Sequence, residues 1–304
     1  MDWQRIGIIC FLSCYLLAWG WEFTRLRGWW KAGWWGSLLT GMSGFIAHTV
    51  YLLNRAQQTH LPPLLSSLRD WILVVSWLIV LVTLFFHLLD RESAVGLLSW
   101  PVTVLFISAS PWVPALGGSA TLAHRSWSML HVSMLALGVM GVLLGFLVSL
   151  MYLWQHRRLK HQQFSPEGMH LPNLERLARW NRWLLLFSVP CLTIGMITGF
   201  GLAVLRHRQW GETLSWSDPL IVIGLTSWFV MIGLLTWLMT HRHTPGRQMA
   251  WLTLWSTGFL LLTTVGSQLA IQVAKLPAVH ATPPKGRLVE PHSPVDQAIQ
   301  ETRP

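Results

Sequence analysis

Charge is scarce in this 304-residue chain: Asp, Glu, Lys and Arg make up 11% of it, less than half the roughly 25% usual in soluble domains. With 52% apolar residues and a mean hydropathy of +0.45, that scarcity excludes an ordinary soluble domain and places the chain in a membrane. Acidic residues are the rarest charges, 12 against 22 basic ones, for a formal net charge of +10. The basic residues lie mostly between apolar stretches, where they act as topology signals, so the charge requires no nucleic-acid partner. Cysteine is limited to Cys10, Cys14 and Cys191, too few for a disulfide framework. No CxxC occurs, which excludes a dithiol oxidoreductase, and the three thiols read as packing residues. No Ser/His/Asp arrangement, phosphate loop or pair of intramembrane carboxylates is visible. The last absence argues against a proton- or sodium-coupled transporter, which normally needs a coordinating group at mid-membrane. There is no repeat and no separate soluble domain.

Eight apolar segments are present, at about 4–21, 34–54, 70–89, 93–110, 127–154, 183–205, 217–240 and 249–273. Each is near the roughly 20 residues that cross hydrocarbon as a helix, the fourth being short and interrupted by Pro101. The expected fold is therefore all-α, a polytopic membrane helix bundle of about eight transmembrane helices. The segment Ile6 to Trp19 lacks an Ala-x-Ala cleavage site and reads as the first span, not as a signal peptide. Lys and Arg set the orientation. With the N-terminus outside, the inner loops collect Arg25, Arg27, Lys31, Arg91, the 155–182 cluster (Arg157, Arg158, Lys160, Arg176, Arg179, Arg182), Arg242 and Arg247. The expected topology is N-out/C-out.

Apolar residues at 171, 174, 177, 180 and 183, with basic residues beside them, predict an interfacial helix on the inner leaflet leading into the sixth span. Gly141-x-x-x-Gly145 and Gly195-x-x-x-Gly199, the latter followed by Gly201, predict close helix packing in the fifth and sixth spans. The organisation expected is a first helix and basic loop at 1–34, a membrane domain at 35–272, and a disordered polar, proline-containing tail at 273–304.

Against this apolar background stand 21 Trp and 13 His. Many tryptophans flank apolar runs, as expected of an interfacial aromatic belt. A histidine in hydrocarbon needs a partner: a side chain, a carbonyl, water, a metal or a cofactor. His131 lies four residues into the fifth span, and His124 precedes it by two helical turns. His48, in Gly44-Phe-Ile-Ala-His-Thr, is too deep in the second span to reach the interface. His87 ends the third span and His241 and His243 end the seventh, where interfacial solvation and the helix dipole suffice as an explanation; His87 and His241 form a possible inner pair. The stretch Arg206-His-Arg-Gln-Trp-Gly-Glu-Thr-Leu-Ser-Trp-Ser-Asp-Pro219 is an amphipathic platform. Its Trp210 and Trp216 suit a porphyrin face, and Arg125, Arg206 and Arg208 suit its carboxylates; an aromatic belt with a helix cap at Asp218 explains the same residues.

The chain resembles the cytochrome c assembly protein family, the haem-handling membrane proteins of CcsA and HemX type, nearer the HemX-like branch. Trp127-Ser-Met-Leu-His-Val-Ser-Met-Leu-Ala-Leu-Gly138 resembles the family's helix with an outward haem-ligand histidine, which implies that role for His131. Leu171-Pro-Asn-Leu-Glu-Arg-Leu177, through Leu192-Thr-Ile-Gly-Met-Ile-Thr-Gly199, is similar to the segment before the tryptophan-rich haem loop. Trp210 to Pro219 stands where that loop belongs. Thr236-Trp-Leu-Met-Thr-His-Arg242 with Gly246-Arg-Gln-Met-Ala-Trp251 resembles the helix and Gly-Arg turn that follow, implying the family's membrane histidine at His241. The resemblance runs over about 35–272. The family's Trp-x-Trp-Asp-Pro-Lys-Glu core is reduced here to Leu214-Ser-Trp-Ser-Asp-Pro-Leu220, and Gln268 to Lys275 holds no counterpart of the second outward histidine, a role His48 or His124 would take.

The resemblance implies a protein of the bacterial inner (cytoplasmic) membrane that binds or delivers haem b at the outer side for c-type cytochrome biogenesis. It implies apocytochrome c and a cytochrome c synthase partner membrane protein as partners, beside the lipid bilayer. The residues provide no independent catalytic site, so the chain is at most part of a synthase complex. Two alternatives remain: a HemX-like accessory or regulatory membrane protein without haem cargo, acting through the basic 155–182 loop, and a small-solute transporter.

Overall fold

The computed structural model describes residues 7–29, 32–91, 94–113, 125–160, 172–210, 219–240 and 246–258. Its elements are α1 (Ile8–Leu26), α2 (Gly33–Thr59), α3 (Pro63–Ser66), α4 (Leu68–Leu89), α5 (Gly96–Ala109) with a 3-10 turn at Ser110–Trp112, α6 (Arg125–Lys160), α7 (Leu174–Trp210) and α8 (Pro219–Thr240). A last helix, α9, covers 246–258. The described residues contain no β-strand. Among the described residues, four helices are long and apolar enough to cross a membrane: α2, α4, α6, and α7 as far as Leu205. The protein is an integral membrane protein with an all-α fold.

The N-terminal helices pack through small residues. The buried face of α1 runs Phe11, Tyr15, Ala18, Glu22, Leu26, one residue every three or four. The α2 face that receives it carries Gly33, Ser37, Gly41, Gly44 and His48. A Cβ on Gly44 would stand 2.7 Å from the Tyr15 ring, so only glycine allows this approach. α5 closes the group by laying its fully buried Trp100 over Gly41 and stacking it on Tyr15 at 5.6 Å. Pro101 does not break α5, although at 14 residues the helix is shorter than a full span.

α6 and α7 form the most extensive helix pair. The two glycine motifs predicted from sequence meet across this seam. Gly141 faces Ser188, Gly195 faces Leu135, and Gly138 joins them against Leu192. Leu147, Met151, Leu177 and Leu184 continue the core, to which Val75 and Ile79 of α4 connect the N-terminal group. The Asp90 carboxylate at the end of α4 accepts from Arg176 near the start of α7 at 2.5 Å.

Two expectations change here. The 171–183 stripe does not make a separate helix lying on the membrane. Asn173 accepts the Arg176 N–H at 2.9 Å and starts α7, which then runs unbroken through Pro190, with Leu177 buried in the protein core. Of that stripe, Leu177 is buried in the core and Trp180 packs on Phe86 of α4, while Trp183 stays exposed. Carboxylates are also buried in or at the edge of the apolar segments: Glu22 and Asp70 are both fully buried. They stand near helix ends, where each finds a cation.

Candidate functional site

The α6–α7 seam fixes His131. Its Nδ1 lies 2.7 Å from the Gly195 carbonyl, and because a carbonyl only accepts, Nδ1 carries the proton. In the neutral ring the lone pair therefore sits on Nε2, the arrangement that second-shell carbonyls impose on metal-binding histidines. One turn earlier, Trp127 Nε1 donates to the Thr198 carbonyl at 3.1 Å. A Cβ on Gly199 would fall 2.5 Å from His131 Cε1, so that glycine makes room for the ring. His131 is half-buried and faces α7. Its tautomer and helix contact fit an axial ligand of haem iron.

His48 sits in a different group of helices. It is fully buried, stacks on Phe11 at 4.3 Å with rings nearly parallel, and pairs through Nδ1 with the Tyr15 hydroxyl at 3.3 Å. The specific partner that its depth demanded is thus a tyrosine. Its Nε2 has no hydrogen-bond partner among the described residues. α2 and α6 are not in contact: His48 belongs to the α1–α2 packing and His131 to the α6–α7 seam.

His87, which as a helix-end histidine needed no more than interfacial solvation and was a possible partner of His241, is bound to a carboxylate. Its Nε2 donates to Glu22 at 3.0 Å, and Arg25 completes the cluster with contacts of 2.5 and 3.2 Å to the two carboxylate oxygens. Arg25 also donates to the Arg91 carbonyl, and Trp34 Nε1 donates to the His87 carbonyl at 3.3 Å. Glu22 escaped the sequence reading because it lies just past the first apolar segment. Its place in the 11, 15, 18, 22, 26 series was the signal that it faces inward. Asp70 is the second such residue: it accepts from Arg55 at 3.2 Å and from Ser66 at 2.5 Å, clamping α2 to the start of α4.

The remaining candidates distribute as follows. His124, Trp216 and His241 lie outside the described residues. Arg206, Arg208 and Trp210 belong to the last turns of α7, with Arg208 exposed. Among the described residues no three His, Cys, Asp or Glu converge as a metal site. A cleft of about 780 Å³ opens between α8 and α9, lined by Trp237, Arg247, Gln248, Trp251 and Leu252. It is not the His131 site. Gly246, beside Arg247, packs on Tyr152, which at 1.5 Å per residue stands roughly 30 Å along α6 from His131.

The sequence model described as Cytochrome C assembly protein matches residues 35–274, most of the chain. The chain belongs to the cytochrome c assembly protein family. The matched region begins at the start of α2 and takes in the α6–α7 seam, His131, and the cleft between α8 and α9. Its relatives include the cytochrome c biogenesis protein CcsA of Heterosigma akashiwo, 28% identical over 241 residues, covering 65% of this chain and 70% of the relative. The CcsA of Porphyra purpurea is 26% identical over 245 residues, covering 65% and 72%. The CcsA of Guillardia theta is 26% identical over 210 residues, covering 60% and 66%. No solved structure matches the chain.

Proposed function

We propose that this protein binds haem b and delivers it for c-type cytochrome biogenesis, presenting it at the outer face of a bacterial cytoplasmic membrane in an N-out, C-out, eight-span topology. The observation that carries this reading is the His131 ring, whose Nδ1–H is committed to the Gly195 carbonyl so that Nε2 is the basic nitrogen. Family membership and the names of its relatives support the cytochrome assembly role.

His131 would ligate the iron. Trp210 and Trp216 would cover the porphyrin, and Arg206 and Arg208 would hold its propionates, with His124 as the nearest sequence candidate for the opposite ligand. Haem supplies the vinyl groups to which the cysteine thiols of an apocytochrome add. The chain's own contribution is orientation: the Gly195 carbonyl holds the imidazole in one tautomer, and Gly199 leaves the ring its seat. The apocytochrome and a synthase partner protein would meet this face. His241, four residues after Trp237 and close in sequence to the α8–α9 cleft, would serve a second haem position at the other end; the cleft volume lies within the roughly 300–1,000 Å³ of small-molecule sites.

Purification from haem-replete membranes tests the reading. The wild type is expected to carry a Soret band that His131→Ala diminishes and that His156→Ala, on the far end of α6, leaves in place. A haem-free wild type, or full haem in His131→Ala, defeats the assignment. An accessory, HemX-like role without cargo would instead lose its cellular phenotype when Arg157, Arg158 and Lys160 are neutralised, and tolerate His131→Ala.

A further inference from the structure

The first helix ends in a turn that presents a cation. Gly28 takes φ +72°, so the N–H groups of Gly28 and Trp29 return to the Arg25 and Thr24 carbonyls at 2.9 and 3.1 Å. The turn folds Trp29 back toward Phe23, with ring centroids 6.3 Å apart. Arg27 lies between them in sequence, and its guanidinium carbon stands 4.8 Å from the Phe23 centroid and 5.4 Å from the Trp29 centroid.

A second guanidinium is mounted in the same way at this end of the bundle. Arg91, just past α4, stands 4.7 Å over Trp34, whose Nε1 donates to the His87 carbonyl. Arg25 joins the two mounts. It donates to the Arg91 carbonyl, and its Cβ would lie 2.9 Å from a Cβ on Gly33, the neighbour of Trp34. Arg27 and Arg91 are both exposed, and among the described residues neither contacts a carboxylate. Glu22 is committed to Arg25 and His87, and Asp90 to Arg176. The guanidinium N–H groups of Arg27 and Arg91 are thus left to a ligand from outside the chain.

Both stand where hydrocarbon ends. α4 is long and apolar enough to cross a membrane, and its last turns expose Phe85, Leu88 and Leu89 just before Asp90 and Arg91. Trp29 is 68% exposed, an indole of the kind that settles at the headgroup level. We propose that Arg27 and Arg91 bind the headgroup phosphate of an anionic phospholipid in the leaflet at this end of the bundle. A guanidinium fork matches phosphate oxygens, and the rings beneath hold each fork in place before the lipid arrives. A zwitterionic lipid fits less well, because its ammonium is repelled by two guanidiniums. The site is remote from His131. Arg176 pairs with Asp90 here, and at 1.5 Å per residue α7 carries Gly195 roughly 30 Å further on.

Native mass spectrometry of the full chain, released from nanodiscs of mixed phosphatidylcholine and phosphatidylglycerol, tests the proposal. The wild type should retain phosphatidylglycerol in preference. Arg27→Gln with Arg91→Gln should cut that preference about tenfold, as two interfacial cations are lost. Arg27→Lys with Arg91→Lys, which keeps the charge without the fork, should fall between. Arg157→Gln with Lys160→Gln removes equal charge from the end of α6 and should leave most of the preference. Inorganic phosphate should not displace the lipid. Equal retention of the two lipids by the wild type overturns the proposal, as does an equal loss in both Gln pairs or displacement by inorganic phosphate. The wild-type comparison decides even where a variant does not fold.

Discussion

Glu22→Ala should be among the most damaging single substitutions outside the apolar core. The carboxylate is fully buried and accepts from both His87 and Arg25, whose own side chains are 1% and 13% exposed. Truncation leaves a mostly buried guanidinium with the Arg91 carbonyl and an imidazole with neither nitrogen satisfied by a side chain. Breaking a buried ion pair from one side costs about 3–5 kcal/mol, because the surviving charge keeps its desolvation penalty. His87→Ala should cost less. Arg25 still neutralises Glu22, and the loss is one hydrogen bond to a charged group, about 1.5–3 kcal/mol, plus a small cavity. The double variant should cost less than the sum, with a coupling of about 1–3 kcal/mol, since once Glu22 is gone His87 has no charge to serve. Reversible unfolding of the purified protein in mixed micelles, titrated with SDS, measures all four corners of the cycle. A Glu22→Ala cost under about 1 kcal/mol, or strict additivity of the pair, would refute the reasoning.

At the α6–α7 seam, Gly199→Val should destabilise by about 1–3 kcal/mol and displace His131, because the new Cβ would lie 2.5 Å from the ring; both effects are read from unfolding and from haem content. Asp70→Asn should cost about 1.5–3 kcal/mol in the same unfolding assay, since the Arg55 and Ser66 donors lose a charged acceptor. Trp77→Phe removes the 2.9 Å bond to Thr49 and should cost only about 1 kcal/mol, because the Thr49 hydroxyl still donates to the Phe45 carbonyl. Gly96→Ala should destabilise, because its Cβ would stand 2.9 Å from both His87 Cε1 and Trp100 Nε1, two fully buried rings that must shift to admit it; a neutral or stabilising result in thermal unfolding would refute this.

Particular elements show where sequence reasoning reaches. The glycine motifs of the fifth and sixth segments were read as helix contacts and do line one seam, because small residues a turn apart imprint a groove that is visible locally. His48 was recognised as needing a specific partner from its depth alone, but that the partner is Tyr15, thirty-three residues away, depends on how α1 lies on α2. The stripe at 171–183 was legible as amphipathic, yet amphipathicity does not say whether lipid or protein covers the face. His87 shows the same limit: a terminal histidine with an adequate solvent explanation turned out to face a carboxylate sixty-five residues distant.

From the chain alone follow the membrane location, the helical class and the approximate helix positions, because spanning hydrocarbon is a demand each segment meets by its own length and hydropathy. Tertiary structure decided which polar groups become partners. It set Glu22 against His87, Arg55 against Asp70, and the Gly195 carbonyl against the His131 ring. Those pairings arise where faces of separate helices meet, and a buried charge or imidazole finds its counterpart only once the bundle has closed around it.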